Sequence, residues 1–549
     1  MRKVKKLLGL LLAAVMVLAM GVPTFAASGS YTLTISGASD GHTYEAYQIF
    51  AGDLSENEQT LSNVKWGDGV NGEALLAALK GTEEEPTAYQ TCMTAADVAK
   101  VLESYENNSS EMKAFADIAG QHLTKTTSGT ASAYNEDSKS YTISGLAAGY
   151  YLVKDKDDSV PGTDAYTDFI LKVVQNTTVT PKSDVPTVEK KVQEDDKYNQ
   201  DGGYGNGYND VADWNIGDAV PFKLIGTLPT NFADYDIYQY IFHDTLSDGL
   251  DLNEGSIKVY YASDKAGTDK TEIPLGKYEV EAPGTEGTDQ CSFEVAFADL
   301  TSVEGVTANK YIIVEYTATL NKDAEIGLPG NPNRVYLEFS NNPNSGGEGD
   351  TGKTPEDKVI VFTYELDVTK VDGEDDDKKL ENAEFKLYDE NGKYVIVDAD
   401  GKVTGWADNE AGGSTLKSDK NGLFKVIGLD DGTYWLKETK APDGYNLITD
   451  PIKIEIKATT VNDQEWTAME GPSDALTALE IKVTVGSTTT SGTGDTESGI
   501  VATDIENNKG AELPETGGMG TTIFYVLGAI LVLGAGGLLI ARRRTDSEK

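Results

Sequence analysis

The chain has 549 residues, enough for about three domains, because a single hydrophobic core stops growing beyond about 250–300 residues. Its 90 acidic against 46 basic residues give a net charge of −44, which argues against nucleic acid or an anionic membrane as a partner. With two cysteines and three histidines, the composition offers little material for a zinc or haem site, and we expect neither a metal nor a cofactor.

The N-terminus has the features of a secretory signal peptide. Basic residues precede an apolar run from Leu7 to Met20, and small residues follow up to Ala26. We therefore predict that residues 1–26 are a signal peptide and that the chain is exported. Exported proteins are often stapled by disulfides, but Cys92 and Cys291 are about 200 residues apart, so some other stabiliser is expected.

Residues 31–182 are predicted to form a first, mainly β domain with helical insertions. Alternating polar and apolar residues indicate its strands, and a 3.6-residue apolar period indicates its helices. The predicted strands are Tyr31–Ile35, Tyr44–Phe50, Ser140–Ile143, Gly149–Val153 and Asp168–Val174; the predicted helices are Gly72–Lys80, Thr94–Tyr105 and Ser109–Leu123. Pro181 and Pro186 then mark an exposed connector, because proline cannot join a central ladder.

Residues 183–357 are predicted to form a second domain, a β-sandwich, because several strand-length segments are separated by turn residues. After an opening strand at Thr187–Val192, its predicted strands are Ala219–Leu224, Tyr235–Phe242, Ser256–Tyr261, Ser292–Phe297, Tyr311–Leu320 and Arg334–Phe339.

Residues 358–510 are predicted to form a third β domain. Its predicted strands are Val359–Val371, Ala383–Tyr388, Lys393–Val397, Gly422–Ile427, Gly432–Lys437, Pro451–Lys457 and Ile500–Ile505. The Ser, Thr and Gly residues of Thr488–Gly499 predict a loop.

The C-terminus joins three features in a fixed order. Leu513, Pro514, Glu515, Thr516 and Gly517 precede an uncharged stretch at 523–541, which is predicted to span a membrane, and a positive cytoplasmic tail at 542–549. This order resembles the LPXTG sorting signal of Gram-positive surface proteins. The resemblance implies that a sortase cuts between Thr516 and Gly517 and that the chain ends up anchored to the cell wall.

The segment from Tyr434 to Tyr445, YWLKETKAPDGY, resembles the E-box of sortase-assembled pilins. In that family, the glutamate of the box, here Glu438, catalyses an isopeptide bond between a lysine on the first strand and an asparagine on the last strand. Lys370 shares a face with the apolar residues of its strand, and Asn507 shares a face with Ile505, so these two are the predicted partners, with Asn507 preferred to Asn508.

The second domain resembles a variant of the same arrangement. Lys190 alternates with Val188 and Val192 on one face of the opening strand, which leaves Lys191 outside. The segment from Tyr240 to Leu246 resembles the family's strand that bears a catalytic aspartate, here Asp244. Two asparagines have the parity of an acceptor. Asn333 is the preferred one, and Asn341 is the reserve.

The predicted chemistry follows from burial. An apolar core lowers the pKa of a lysine and raises that of a carboxylic acid, so a neutral amine could attack the carboxamide carbon while the acid polarises it. Folding supplies the proximity, and the reaction turns over once without a cofactor. The first domain has no lysine on Tyr31–Ile35 and no glutamate in Gly149–Lys154, so we expect no such bond there.

Lys182, in Thr180-Pro181-Lys182, resembles the pilin-motif lysine, although a threonine replaces the usual aromatic residue. The resemblance thus covers nearly the whole chain and implies a major (backbone) pilin. Such a pilin has a mainly β fold of tandem immunoglobulin-like sandwiches of the Cna-A and Cna-B types. The implied partners are a pilus-type sortase, identical subunits joined through Thr516 and Lys182, minor pilins and peptidoglycan.

Two alternatives share these features. A wall-anchored adhesin would use the same domains as a monomer to bind a host surface ligand, and a minor basal pilin would share the sorting signal. An enzyme is disfavoured, since outside the E-box arrangement no nucleophile paired with a base and no metal cluster can be named.

Overall fold

The computed structural model describes residues 30–54, 60–81, 87–174, 176–195, 203–205, 207–281, 291–345, 349–461, 475–510 and 521–545. The predicted signal peptide and the predicted sorting residues Leu513–Gly517 lie outside these ranges. The chain divides into two compact units, one formed by residues 1–363 with 459–477 and the other by residues 364–458 with 478–549. The predicted first and second domains both belong to the first unit, and the division into three domains stays a prediction.

The N-terminal part of the first unit contains two sheets and three helices. Its strands are β1 Tyr31–Ser36, β2 Tyr44–Leu54, β3 Leu61–Trp66, β4 Gly129–Thr130, β5 Ser140–Leu146, β6 Gly149–Asp155, β7 Ile170–Val174 and β8 Thr177–Val179, and its helices are α1 Gly72–Leu79, α2 Ala95–Leu102 and α3 Ser110–Gly120. One sheet has the order β5-β1-β8, and the other has the order β3-β2-β6-β7 with β4 beside β2.

The three predicted helices are confirmed, and their starts follow from capping. Thr94 accepts a hydrogen bond from the Asp97 amide at 3.3 Å, and Asp97 accepts one from the Thr94 amide at 2.9 Å, which forms a capping box for α2. The apolar faces of the helices pack around Phe50 and Phe115, whose ring centroids are 6.2 Å apart. The helices therefore cover one face of the β2 sheet.

The second half of the first unit is a sandwich of two seven-stranded sheets. Its strands are β9 Val188–Gln193, β10 Tyr208–Asn209, β11 Val211–Asp213, β12 Ala219–Gly226, β13 Tyr240–Leu246, β14 Leu250–Leu252, β15 Lys258–Ala262, β16 Thr271–Glu272, β17 Glu279–Glu281, β18 Phe293–Phe297, β19 Tyr311–Leu320, β20 Asn331–Ser340, β21 Thr351–Lys353 and β22 Asp357–Phe362. One sheet has the order β10-β9-β12-β19-β15-β16, with β14 beside β19, and the other has the order β11-β22-β20-β13-β18-β17, with β21 beside β20. We call this half the middle sandwich.

The second unit is also built from two sheets, and we call it the C-terminal sandwich. Its strands are β23 Tyr364–Asp372, β24 Asp375–Lys379, β25 Glu384–Asp389, β26 Tyr394–Val397, β27 Val403–Ala407, β28 Leu416–Lys417, β29 Leu423–Leu429, β30 Gly432–Lys440, β31 Ile452–Thr460, β32 Leu476–Val485, β33 Thr488–Thr493 and β34 Ile500–Asn507. In the smaller sheet, β23 lies between β29 and the parallel strand β34, with β24 also paired to β23. The larger sheet has the order β27-β26-β25-β30-β31-β32-β33, with β28 beside β25.

The mainly β prediction with helical insertions in the first domain is confirmed, but three predicted segments are wrong. Residues 235–239 are not a strand, because the Tyr235 and Tyr238 rings pack edge-to-face at 4.8 Å and the Tyr238 amide donates to the Asp299 side chain. The predicted strand 359–371 breaks at 363, where the chain passes from the first unit to the second. The predicted loop at 488–499 contains strand β33, whose threonines favour extended backbone, after a turn in which Gly486 has φ +60°.

Two further predictions concern the cysteines and the C-terminus. Cys92 and Cys291 are free, as their separation in the sequence led us to expect, and both are buried. The predicted membrane span at 523–541 is not confirmed: the region forms helix α4, Thr521–Thr545, and within the part of the chain that the structure describes no helix is both long and apolar enough to cross a membrane.

Candidate functional site

Four polar side chains meet in the interior of the middle sandwich, two from each sheet. Lys190 of β9 and Tyr316 of β19 face Asp244 of β13 and Asn333 of β20. The Lys190 Nζ donates hydrogen bonds to Asp244 Oδ2 and, at 2.9 Å, to the Tyr316 hydroxyl. That hydroxyl donates to Asp244 Oδ2 at 2.9 Å and accepts from Asn333 Nδ2 at 2.8 Å. The fold therefore brings the three predicted residues together around a tyrosine.

The side chains of this middle site are fully buried. Lys190, Asp244 and Asn333 are each 0% exposed. Burial lowers the pKa of Lys190 to about 8 and raises the pKa of the Asp244 carboxyl, because water no longer stabilises the charged forms. Both shifts favour the same state, a neutral amine beside a protonated acid.

Two oxygens in the middle site have no hydrogen-bond partner, namely Asp244 Oδ1 and Asn333 Oδ1. A buried acceptor left unpaired costs about 1–3 kcal/mol. A protonated Asp244 would have a hydrogen to donate to the amide oxygen, whereas the carboxylate has none. The unpaired oxygens therefore favour a protonated Asp244 over its carboxylate.

The alternative acceptor and the neighbouring lysine lie elsewhere. Asn341 is buried, but its Nδ2 donates to the backbone oxygen of Asp164 at 3.1 Å, away from Lys190. Lys191 lies outside this site, as predicted, yet it is buried rather than exposed, because it pairs with Asp210 and lies over the ring of Tyr204 at 4.6 Å. Asn333 is thus the asparagine that contacts the Lys190 group.

A second group of the same residue types lies inside the C-terminal sandwich. Lys370 is on β23, Glu438 on β30 and Asn507 on β34. The parallel register sets Lys370 beside Ile505, and the lysine Nζ donates to the Ile505 backbone oxygen at 2.7 Å. Glu438 Oε2 accepts from Asn507 Nδ2 at 3.2 Å and from the Ile448 amide at 2.7 Å. The acid is therefore held directly against the predicted acceptor.

The environment of this C-terminal site matches that of the middle site. Lys370, Glu438 and Asn507 are 0%, 3% and 1% exposed. Burial lowers the pKa of Lys370 to about 8 and raises the pKa of Glu438. Glu438 Oε1 and Asn507 Oδ1 lack hydrogen-bond partners, as the corresponding oxygens do in the middle site.

The turn that follows Glu438 is anchored to the end of β23. Asp372, which is 0% exposed, accepts hydrogen bonds through Oδ2 from the Tyr445 hydroxyl at 2.7 Å and from Lys378 at 3.1 Å, and its Oδ2 lies 2.9 Å from the Lys509 Nζ. The bonds from Lys509 and Tyr445 hold the pKa of this carboxyl well below its ordinary value. Because Asp372 is in register with Asn507, this cluster fixes the ends of the strands that carry the lysine and the asparagine.

Lys182 is exposed, but its backbone is held on both sides. Its amide donates to the Thr167 hydroxyl at 2.7 Å, and its carbonyl oxygen accepts from the Asp168 amide at 3.1 Å. Thr167 is 0% exposed and its own amide donates to Asp155 at 2.7 Å. The side chain is therefore presented to solvent from an extended, anchored segment. Thr516 lies outside the described residues.

The N-terminal part of the chain has a different buried polar group. His42 Nδ1 is 2.8 Å from Asp155, and His42 Nε2 is 3.0 Å from Asp164. Burial opposes a charge on His42, but the hydrogen bonds to the two carboxylates outweigh it and raise its pKa to about 9. The expectation that this part forms no isopeptide bond stays a prediction.

Tyr316 is the residue that sequence reasoning missed. It lies on the predicted strand Tyr311–Leu320 with the parity of Val314 and Ala318, both buried, so its inward direction could have been read from the sequence. Its contact with Lys190 could not, because it depends on how the two sheets pack.

Comparison with known proteins adds two family matches. Residues 364–469 match the SpaA prealbumin-like fold domain, and residues 505–547 match the LPXTG cell wall anchor motif. The trypsin-resistant surface T6 protein of Streptococcus pyogenes serotype M6 is 26% identical over 377 residues, which cover 60% of this chain and 65% of that protein. The fimbrial subunit type 1 of Actinomyces viscosus is 29% identical over 129 residues, 24% of this chain and 18% of that protein.

The chain is similar to a Gram-positive backbone pilin in its sequence and its fold. Among solved structures, the T6 backbone pilin of serotype M6 S. pyogenes, described as a modular three-domain structure, has the same fold, with a TM-score of 0.51. At 20% identity, the alignment covers 89% of this chain and 100% of that chain. The anchor match indicates that this chain is attached to the cell wall of a Gram-positive bacterium. The chain spans less than two thirds of the T6 protein, 65%.

Proposed function

We propose that the chain is the structural backbone subunit of a covalent surface pilus and a substrate of a sortase rather than an enzyme. The observation that carries this proposal is the pair of buried sites, each with a lysine, a carboxylic acid and an asparagine contributed by two facing sheets. Buried lysines are rare unless they are paired, and two such groups in two sandwiches serve no evident binding purpose. They support self-made cross-links in a protein that carries tension.

Each cross-link forms by one balanced exchange. The neutral amine, Lys190 or Lys370, attacks the side-chain carbon of Asn333 or Asn507, and a new carbon–nitrogen bond forms. The protonated acid, Asp244 or Glu438, stabilises the developing charge on the amide oxygen and passes a proton to the leaving nitrogen, which departs as ammonia. No cofactor enters. The acid then takes up the proton that the attacking amine loses and so returns to its starting state, and the product is an amide in a buried core.

The subunits are joined by a second exchange. Sortase breaks the bond between Thr516 and Gly517 and holds the threonine carbonyl as a thioester on its own cysteine. The Lys182 amine of the next subunit attacks that carbonyl and restores the thiol, so each joint is an amide. The exposed position of Lys182 on an anchored backbone supports its role as the nucleophile. Minor pilins and peptidoglycan would be joined at the ends of the polymer.

Polymerisation in the native host tests this proposal. Cell-wall material boiled in detergent should show a ladder of high-mass species, and Lys182→Ala should reduce the ladder to monomer. Lys156→Ala is the matched control, because Lys156 is also an exposed lysine of the N-terminal part and should leave the ladder intact.

Three outcomes would contradict parts of the proposal. A ladder that survives Lys182→Ala would exclude this lysine as the receptor. A wild-type chain that runs only as monomer would favour a wall-anchored adhesin. Incorporation of a single copy per polymer would favour a basal pilin.

A further inference from the structure

A cluster of potential metal ligands lies on the outer face of one sheet of the middle sandwich. His243 is on the central strand β13 and is paired in register with Glu294 of β18, and Glu338 is on β20 on the other side. Because side chains alternate along a strand, His243 points away from the face that carries Asp244. Cys291 precedes β18 and reaches the same spot. This cluster is separate from the Lys190 site and is independent of the proposed pilus function.

The distances between the side-chain atoms of the cluster are those of atoms that bind one metal ion. His243 Nδ1 is 3.1 Å from Glu294 Oε1, and the Cys291 sulfur is 3.4 Å from the same oxygen. His243 Nε2 is 3.5 Å from Glu338 Oε2. Tetrahedral zinc has bonds of about 2.0–2.1 Å to nitrogen, 2.0–2.2 Å to oxygen and 2.3 Å to sulfur, which place its ligand atoms about 3.3–3.6 Å apart.

The histidine gives an independent indication of a ligand. His243 is 4% exposed, and neither ring nitrogen makes a hydrogen bond, although carboxylate oxygens lie within ion-pair distance of both. Those contacts have the distance of an ion pair but not the direction of a hydrogen bond. The ring is held by stacking on Tyr336, with centroids 4.4 Å apart. A buried imidazole that is fixed in place with a free lone pair is well suited to bind a cation.

The charges also fit a divalent cation. The sulfur of Cys291 lies 3.4 Å from Glu294 Oε1, so a thiol and a carboxylate already meet at this point. A bound zinc ion deprotonates a coordinating thiol outright. One thiolate and one carboxylate would then balance the two positive charges, while Lys353, 3.4 Å from Glu338, offsets the remaining carboxylate.

We propose that His243, through Nδ1, together with Cys291 and Glu294 binds one zinc ion. The mixed nitrogen, sulfur and oxygen set suits zinc better than calcium or magnesium, which take oxygen ligands. The ion would tie β13 to β18, on the face opposite the Lys190 site. Cys291 would then have a structural role as a ligand rather than as half of a disulfide.

Cobalt substitution of the full-length chain, purified with its cysteines reduced, tests the site. Co²⁺ should bind in a ratio of one per chain, with the near-ultraviolet absorption band of a thiolate-to-cobalt charge transfer, and Zn²⁺ should displace it. Cys291→Ser should abolish the band. Cys92→Ser should keep it, because the other buried cysteine lies outside the cluster.

Glu294→Gln keeps the shape of the side chain and provides a second test if Cys291→Ser does not fold. Loss of an outer partner of a metal ligand lowers affinity about 10–100-fold, and Glu294→Gln, which removes a direct ligand, should weaken Zn²⁺ binding at least as much. The proposal is overturned if the full-length chain binds no stoichiometric Co²⁺ or Zn²⁺. It is also overturned if the band is equally sensitive to both cysteine variants, or if Glu294→Gln leaves the affinity unchanged.

Discussion

The middle and C-terminal sites contain the same chemical groups but divide the contacts of the acid differently. In the middle site, Asp244 contacts the lysine, and Tyr316 links both of them to Asn333. In the C-terminal site, Glu438 contacts the asparagine, while Lys370 donates to a backbone oxygen. The shorter acid is thus paired with the nucleophile and the longer acid with the acceptor.

Because the contacts differ, the feature that the two sites share is burial rather than one fixed geometry. Both lysines have a pKa lowered to about 8, and both acids have a raised pKa, through desolvation in each case. In both sites the same two oxygens lack partners. Burial thus shifts the lysine and the acid of each site towards their neutral forms, whichever of the two partners the acid contacts.

The largest expected effect comes from removal of the acids. Asp244→Ala and Glu438→Ala should each prevent one bond, and the loss of a closed loop of about 140 residues should lower the free energy of unfolding by about 5 kcal/mol. Asp244→Ala should cost about 1–3 kcal/mol more, because the buried Lys190 amine loses the acid that accepts its hydrogen bond, whereas Lys370 keeps the Ile505 oxygen. Hydrogen exchange on the full chain would resolve the two sandwiches separately.

Asn333→Ala and Asn507→Ala are the matched controls for the acid variants. Each prevents the same bond but leaves the acid in place, so the two should destabilise their sandwiches by similar amounts. Equal losses in the two acid variants would show that the different contacts of Asp244 and Glu438 have no energetic consequence.

A pH dependence should appear only when the bond is absent. In Asn507→Ala, the pKa of Lys370 is about 8 in the folded chain against 10.5 ordinarily, so the folded state binds fewer protons between these values. Stability of the C-terminal sandwich should therefore rise with pH through that window, by up to about 1.4 kcal/mol per pH unit. In the wild type, the lysine is part of an amide and does not titrate.

In Asn333→Ala, the stability of the middle sandwich should rise with pH over the same range, because the pKa of Lys190 is also lowered to about 8. Adding Lys370→Met to Asn507→Ala should remove the slope from the C-terminal sandwich. A slope that persists without the lysine, or one that the wild type shares, would argue against a buried titrating amine in the precursor. Denaturant titrations between pH 7 and 11 would measure how the free energy of unfolding changes with pH.

The smallest expected effect is that of Tyr316→Phe, which has no counterpart in the C-terminal site. It removes the hydroxyl that links Lys190, Asp244 and Asn333 and should slow formation of the middle bond about tenfold, which corresponds to a loss of about 1.4 kcal/mol. The fraction of cross-linked chain at set times after refolding, measured by mass spectrometry, checks this. Tyr445→Phe, whose hydroxyl contacts Asp372 in the C-terminal sandwich, should leave the rate of the middle bond unchanged.

Strand parity predicted much of both sites. Lys190 and Lys370 face inward because they alternate with buried apolar neighbours, and Asn507 follows Ile505 with the same parity. The choice between Asn333 and Asn341 needed the register of β20 against β13, since both asparagines have the same parity. Periodicity indicates a face but not a partner.

Contacts between distant segments could not be predicted from the sequence. Tyr316 could be assigned to the core, but its position between Lys190 and Asn333 depends on sheet packing. The cluster of His243, Cys291 and Glu294 is scattered over 52 positions and has no spacing typical of a zinc motif. Strand β33 was predicted as a loop because composition outweighed the β preference of its threonines.

The intact mass of the exported chain, compared with the mass of the sequence between its processed ends, tests both cross-links directly. We expect a mass lower than that value by two ammonia molecules, one restored by Asn333→Ala and the other by Asn507→Ala, after allowance for each substitution. A chain that folds with its full, unmodified mass would contradict both cross-links.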